Sequence, residues 1–288
     1  CLAIMIGSAM TVAVGTNGFH PDSSIAQVVP DATLPNNSQV NEVNKTFDIT
    51  GGTQSGGNLF HSFEKFSVPN GWSAIFRNSA DIQNILTRVT GNSISEIDGL
   101  IKANGSASLF LMNPNGIVFG ENARLDIRGS FIGTSAESMK FTDGTEFSAI
   151  NPQDSPLLTV NVPLGLQYNS NQGSIQLQGS NLKVDDNKFL ALIGGNVSAV
   201  SANIEAIGGE IVLGGLAASG IISINFDSTG NIDSLSFPEE VLRGNVSLTN
   251  GTQVNVAASG GGSIAINARN LDILGRSAVN AGIAENVG

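Results

Sequence analysis

The chain is poor in the residues that usually carry covalent, metal or redox chemistry. It has a single cysteine, Cys1, so no intrachain disulfide can form. Nothing covalent would then stop the unfolded chain from being threaded through a pore. Its two histidines, His20 and His61, have no metal-pair spacing, and there is no CxxC or HExxH motif. Charged residues make up 13%, against about 25% in ordinary globular domains. Lys and Arg number 13 against 24 Asp and Glu, a net charge of −11. That balance repels phosphate backbones and argues against nucleic-acid binding. No Lys/Arg cluster is present to hold an anionic membrane. The longest uncharged apolar stretch, Cys1 to Val14, has 14 residues, short of the roughly 20 needed to span a bilayer as a helix. It reads as the hydrophobic part of a secretory signal whose basic start is missing, with Ser24-Ile25-Ala26 as the cleavage site before Gln27. Residues 1–26 are therefore set apart as truncated signal and spacer, and the chain reads as a fragment at both ends.

Glycine is plentiful, at 35 residues, and Asn, Ser, Thr and Ile recur throughout. That profile favours many short strands joined by tight turns over helices. The centre of the pattern is Leu109 to Gly120, Leu-Phe-Leu-Met-Asn-Pro-Asn-Gly-Ile-Val-Phe-Gly. Leu109 to Met112 is an unbroken apolar run, too short for a typical helix and suited to a strand buried on both faces. Asn113-Pro114-Asn115-Gly116 reads as a turn, and Ile117 opens the next strand. Upstream, Phe47 to Thr50 alternates and stops at Gly51-Gly52. Leu59 to Val68 places Phe60, Phe63 and Phe66 three apart, but its neighbours favour a strand. Short strands are also expected on either side of Asp98-Gly99. Arg124 to Arg128 should turn Leu125 and Ile127 inward. Met139 to Tyr168 breaks the rhythm with Pro152, Pro156 and Pro163, and reads as an excursion outside the main coil with a hairpin at Leu157–Val162.

Regularity then returns. Gly173-Ser174-Ile175-Gln176-Leu177 with Asn181-Leu182-Lys183-Val184 matches Gly262-Ser263-Ile264-Ala265-Ile266 with Asn270-Leu271-Asp272-Ile273, 89 residues on. Spacing alone fits a sandwich equally well. The returning two-strand unit favours a coil of parallel strands, in rungs of about 20 residues that bury a core by stacking.

No catalytic set emerges. Asp185-Asp186 and Glu239-Glu240 are sequential pairs, and neighbours on a strand face opposite ways. A polysaccharide hydrolase of coil shape would pair Asp185-Asp186 with Gly-His-Gly and Arg-x-Lys; both are absent. The basic clusters of a lyase and the Gly-Gly-x-Gly-x-Asp calcium repeat are absent too. Gly51-Gly52 and Gly56-Gly57 do not open a helix as a phosphate loop does. His61 reads as a packed or surface residue. No enzyme activity, metal or cofactor is expected, and Trp72 and Tyr168 lie too far apart in sequence to mark a sugar platform.

Four stretches in order carry a family resemblance: Val29-Pro30-Asp31-Ala32-Thr33-Leu34-Pro35, Gly56 to Phe63, Asn84-Ile85-Leu86-Thr87-Arg88-Val89-Thr90-Gly91 with Ile97-Asp98-Gly99, and Leu109 to Gly120. Residues 27–168 resemble the N-terminal haemagglutination-activity, or two-partner secretion, domain of filamentous-haemagglutinin-like exoproteins, closest to the cyanobacterial branch. An upstream Asn-Pro-Asn-Leu motif of the proteobacterial branch is missing; Asn151-Pro152-Gln153-Asp154 lies downstream and out of context. The resemblance implies a right-handed parallel β-helix, a pectin-lyase-like solenoid with extra-helical hairpins, continuing through 169–288. It implies a secretion-targeting module of a secreted, adhesin-like exoprotein. The partner would be an outer-membrane transporter with periplasmic recognition domains, and the chain would cross extended and fold at the cell surface. Asn113, Pro114, Asn115, Gly116 and Ile117 become the candidate secretion motif. Asn84, Arg88 and Gly91 become secondary candidates for transporter recognition. Host or neighbour-cell glycans are a further expected partner class. The delivery end of a contact-dependent toxin and a polysaccharide-acting β-helix enzyme are the alternative readings.

Overall fold

The computed structural model describes residues 27–152, 159–169 and 172–283. The proposed signal segment and part of the expected 157–162 hairpin therefore lie outside the described residues. Every regular element among the described residues is a β-strand. The chain winds as a parallel β-helix with three faces. A front sheet stacks Asn58–Phe66, Asn84–Val89, Ser108–Met112, Phe131–Thr134, Phe189–Ile193, Glu210–Gly214 and Ser263–Asn267 in parallel. A second face stacks Ser95–Ile97, Ile117–Phe119, Ile175–Gln178, Val197–Val200, Val246–Thr249 and Leu271–Ile273. The third face runs from Thr46–Gly51 to Arg124–Asp126 and then from Asn181–Lys183 to Ala278–Asn280. A position on the front sheet recurs after 26 residues (Asn58 to Asn84), then 24 (Asn84 to Ser108), 22 (Leu109 to Phe131) and 21 (Leu190 to Ile211).

Alternation along each front strand builds two cores at once. Inward, Leu59, Ile85, Leu109, Phe131, Leu190 and Ile211 stack in register and fill the coil. Outward, Phe60, Leu86, Phe110, Ile132, Ala191 and Val212 form a second stack. This outer stack is covered by an antiparallel sheet made from two excursions: Ser138–Phe141, Glu146–Ser148 and Pro163–Tyr168 from the first, Gly220–Phe226 and Ile232–Ser236 from the second. Met139, Phe147, Leu166, Tyr168, Ile222 and Ile224 seal the interface. The unbroken apolar run at Leu109–Met112 follows from this double burial. Leu59 to Phe66 is strand, as its neighbours indicate.

One expectation needs correction, and the 89-residue repeat takes a definite place in the coil. The hairpin of the first excursion is Ser138–Phe141 against Glu146–Ser148, and residues 159–162 form no strand. Asp143 makes that turn by accepting bonds from the Thr145 amide (3.0 Å) and hydroxyl (2.7 Å). The 89-residue repeat does not mark the rung. Ile175–Gln178 lies on the second face and Ser263–Asn267 on the front sheet, so the motif reports a strand-corner-strand unit used at two different corners of the coil.

Antiparallel strands close the N-terminal end of the coil: Val28–Pro30 and Thr53–Ser55 flank Asn58–Phe66, and Ser38–Val43 pairs with Thr46–Gly51.

Candidate functional site

Asn113-Pro114-Asn115-Gly116 forms the corner between the front and second faces. Gly116 N–H donates to Asn113 O at 2.9 Å, closing the turn. The Asn113 side chain is fully buried (0% exposed) and spends all its groups internally. Its Nδ2 donates to Ser93 O (3.0 Å) and Ser95 Oγ (2.9 Å), in the rung below. Its Oδ1 accepts from the Asn115 amide and from Asn115 Nδ2, both at 3.0 Å. Asn115 Nδ2 also donates to Gly91 O at 2.8 Å. Asn113 thus shapes the corner, and both asparagines tie it to the corner beneath. Pro114 O accepts from Gly173 N–H (2.9 Å), and Ile117 N–H donates to Ser174 O (3.1 Å), in the rung above. Gly116 holds φ at +110°, and a Cβ there would sit 2.6 Å from Ser174 O. A Cβ on Gly91 would stand 2.1 Å from Glu64 O. Both corners therefore exclude side chains. Pro114 and Asn115 are half-exposed; Asn113, Gly116 and Ile117 are buried.

The secondary candidates part company. Asn84 is buried and donates to Asn58 Oδ1 (3.0 Å); Asn58 Nδ2 in turn donates to Thr159 O (3.1 Å) and Asn161 O (2.6 Å). This pair ties the front sheet to the first excursion. Arg88, four residues on, points out of the coil into the second core and is 0% exposed. Its Nε donates to Ser62 Oγ (2.8 Å), Nη1 to Ser148 O (2.6 Å), and Nη2 to Thr33 Oγ1 (2.8 Å) and Pro152 O (3.2 Å). The Phe147 ring lies under its Cζ at 4.4 Å.

The countercharge is Asp31, reached through hydroxyls. Ser62 Oγ donates to Asp31 Oδ2 (2.7 Å) and Thr33 Oγ1 to Oδ1 (2.7 Å). Thr90 Oγ1 adds a bond to Oδ2 (2.6 Å). Burial works against the Asp31 charge, but bonds from Thr90, Thr33 and Ser62 outweigh it and hold the carboxyl below its ordinary range. Burial likewise pulls the Arg88 guanidinium down to about 10, opposed by the Asp31 charge. Asp31, Ser62, Arg88 and Thr90 come from three separate stretches of the sequence resemblance, which did not show that they meet. Thr33 and Ser148 complete the set.

His61 is packed, 1% exposed, inside the first rung. Its Nδ1 lies 3.0 Å from Ser38 Oγ, and its Nε2 has no partner. Burial pushes its pKa down to about 3, so the ring is neutral. Asp185-Asp186 and Glu239-Glu240 are exposed. No group of three or more His, Cys, Asp or Glu able to hold a metal occurs among the described residues. Trp72 stacks on Phe47 at 4.8 Å and lines a shallow hollow with Asn70, Asn122 and Arg124, whereas Tyr168 is buried beneath the excursion sheet.

A family model described as the TPS secretion domain matches residues 26–267. The chain belongs to that family. The TPS domain is a secretion-targeting module of two-partner secretion. The HMW1 secretion domain from Haemophilus influenzae shares the fold at 18% identity with a TM-score of 0.59, covering 88% of this chain and 66% of that one. The present chain thus spans just under two thirds of that relative. The filamentous hemagglutinin secretion domain aligns over 88% of this chain and 98% of its own at 14% identity, with a TM-score of 0.40. No curated protein matches in sequence.

Proposed function

We propose that a cognate outer-membrane transporter reads this domain through its periplasmic recognition domains while the chain is still unlocked, and that the domain becomes rigid only after crossing. The observation that supports this is the burial of the candidate residues: Asn113, Asn84 and Arg88 have their polar groups engaged inside the folded domain. A partner that contacts those side chains must do so before the coil closes. In the folded domain the motif offers a partner only the half-exposed Pro114 and Asn115. A cysteine-poor chain of stacked rungs suits this route, because each new rung needs only its neighbour to form. The exoprotein is then secreted or displayed at the cell surface.

The test is a pull-down with the periplasmic part of the transporter. Chain diluted from urea should be captured and prefolded chain should not; Asn113→Ala with Asn115→Ala should weaken capture of the diluted chain. Equal capture of both forms would overturn the reading. The domain is further proposed to act without a reaction centre, so reducing-sugar and unsaturated-product assays on anionic glycans should stay at background.

A further inference from the structure

The Arg88 contacts come from segments far apart in the chain. Thr33 belongs to the N-terminal cap, 55 residues away, and Ser62 to the adjacent front strand, 26 away. Ser148 and Pro152 belong to the first excursion, 60 and 64 residues away. Without the cap, the guanidinium loses Thr33 and also the Asp31 carboxylate that Thr33 and Ser62 link it to. Without the excursion, it loses the Phe147 ring, two carbonyl acceptors and its shelter from water. A buried cation with partners missing on either side is strongly disfavoured, because its desolvation is no longer offset.

We infer that Arg88 is a lock that closes only when cap and excursion are both in place, making the rigidity of each depend on the other. The cap segment Val28–Leu34 then stays loose until the chain through Pro152 is available to fold. The place of the lock in export rests on the proposed order of export and folding; the coupling itself rests on the folded contacts and is measurable without a transporter.

The experiment is hydrogen exchange on the intact purified domain, with Phe147→Ala, Thr33→Val, Arg88→Met and the double variant Arg88→Met/Phe147→Ala. Leu248→Ala, deep in the coil and remote from Arg88, is the stability control. Phe147→Ala, a change in the excursion, should speed exchange at residues 28–34 by tenfold or more. Thr33→Val, a change in the cap, should do the same at 138–148. Exchange at 197–205 should change less than twofold in both. In the Arg88→Met background, adding Phe147→Ala should have no further effect on 28–34. Leu248→Ala should leave both segments within twofold of wild type. During refolding from urea, pulse labelling should show 28–34 and 138–148 gaining protection in one kinetic phase. If Phe147→Ala loosens only its own strands, or if 28–34 is protected in an earlier phase than 138–148, the lock is wrong. Because no transporter is present, that outcome would leave the transport reading standing, whereas failure of the urea-dilution pull-down would leave the lock standing.

Discussion

A buried imidazole contributes to the acid response of this domain. His61 titrates near 6.5 in an unfolded chain and is held neutral in the fold, its pKa pushed down to about 3. Between those values the unfolded chain binds the extra proton, so stability must fall as pH drops. Urea unfolding midpoints measured from pH 7 to pH 4 should report a loss approaching about 1.4 kcal/mol per pH unit below pH 6, and His61→Gln should flatten that slope. Asp31 acts in the same direction at lower pH, since its depressed carboxyl stabilises the fold above the ordinary carboxylate range and stops doing so as it protonates. At the corner, Asn113→Ala removes four hydrogen bonds and strands Ser95 and the Asn115 amide. Its cost should be about 2–4 kcal/mol in denaturant unfolding, against about 1 for the half-exposed Asn115→Ala. The turn itself was legible in the sequence as Asn-Pro-Asn-Gly. The inward engagement of Asn113 was not, because its partners at Ser93 and Ser95 lie 20 and 18 residues earlier, beyond any local pattern. The same distance hid the meeting of Asp31 and Arg88.

Strands were legible wherever their burial was simple. Leu109–Met112 showed double burial directly, because no polar residue interrupts it. Asn58–Phe66 was readable from its aromatic and β-branched company despite a helix-like phenylalanine spacing. The excursion hairpin was not. Its strands carry Lys140 and Glu146, which pair with each other on the outer surface, so they look less strand-like than the apolar stretch at 157–162. The second excursion, Gly220–Ser236, went unseen because its alternation is indistinguishable from a coil rung. The two faces of the front sheet should differ little in sensitivity. Phe110→Ala, on the outer side, should cost about 3–5 kcal/mol, as expected for a core phenylalanine, and Leu109→Ala on the inner side about 2–5. Val118→Ala, half-exposed on the second face, should cost far less; urea midpoints of the three variants decide this.

On the scale of the molecule, the coil and its cladding obey different rules. Stacking neighbours is visible in sequence as recurring Gly- and Asn-bounded strands, and the parallel β-helix follows from it. The cladding depends on one long-range pairing, Pro163–Tyr168 against Gly220–Phe226, which no periodicity encodes. That pairing also fastens the ends of the intervening loop. The rungs built from residues 175–214 lie between two strands that are bonded to each other, like pages held by a clip. A chain pulled by its C-terminus in an optical trap should release its last rungs smoothly and then stop. The next extension, about fifty residues long, should come as one abrupt step once the clip shears, and Leu166→Pro should convert that step into gradual release.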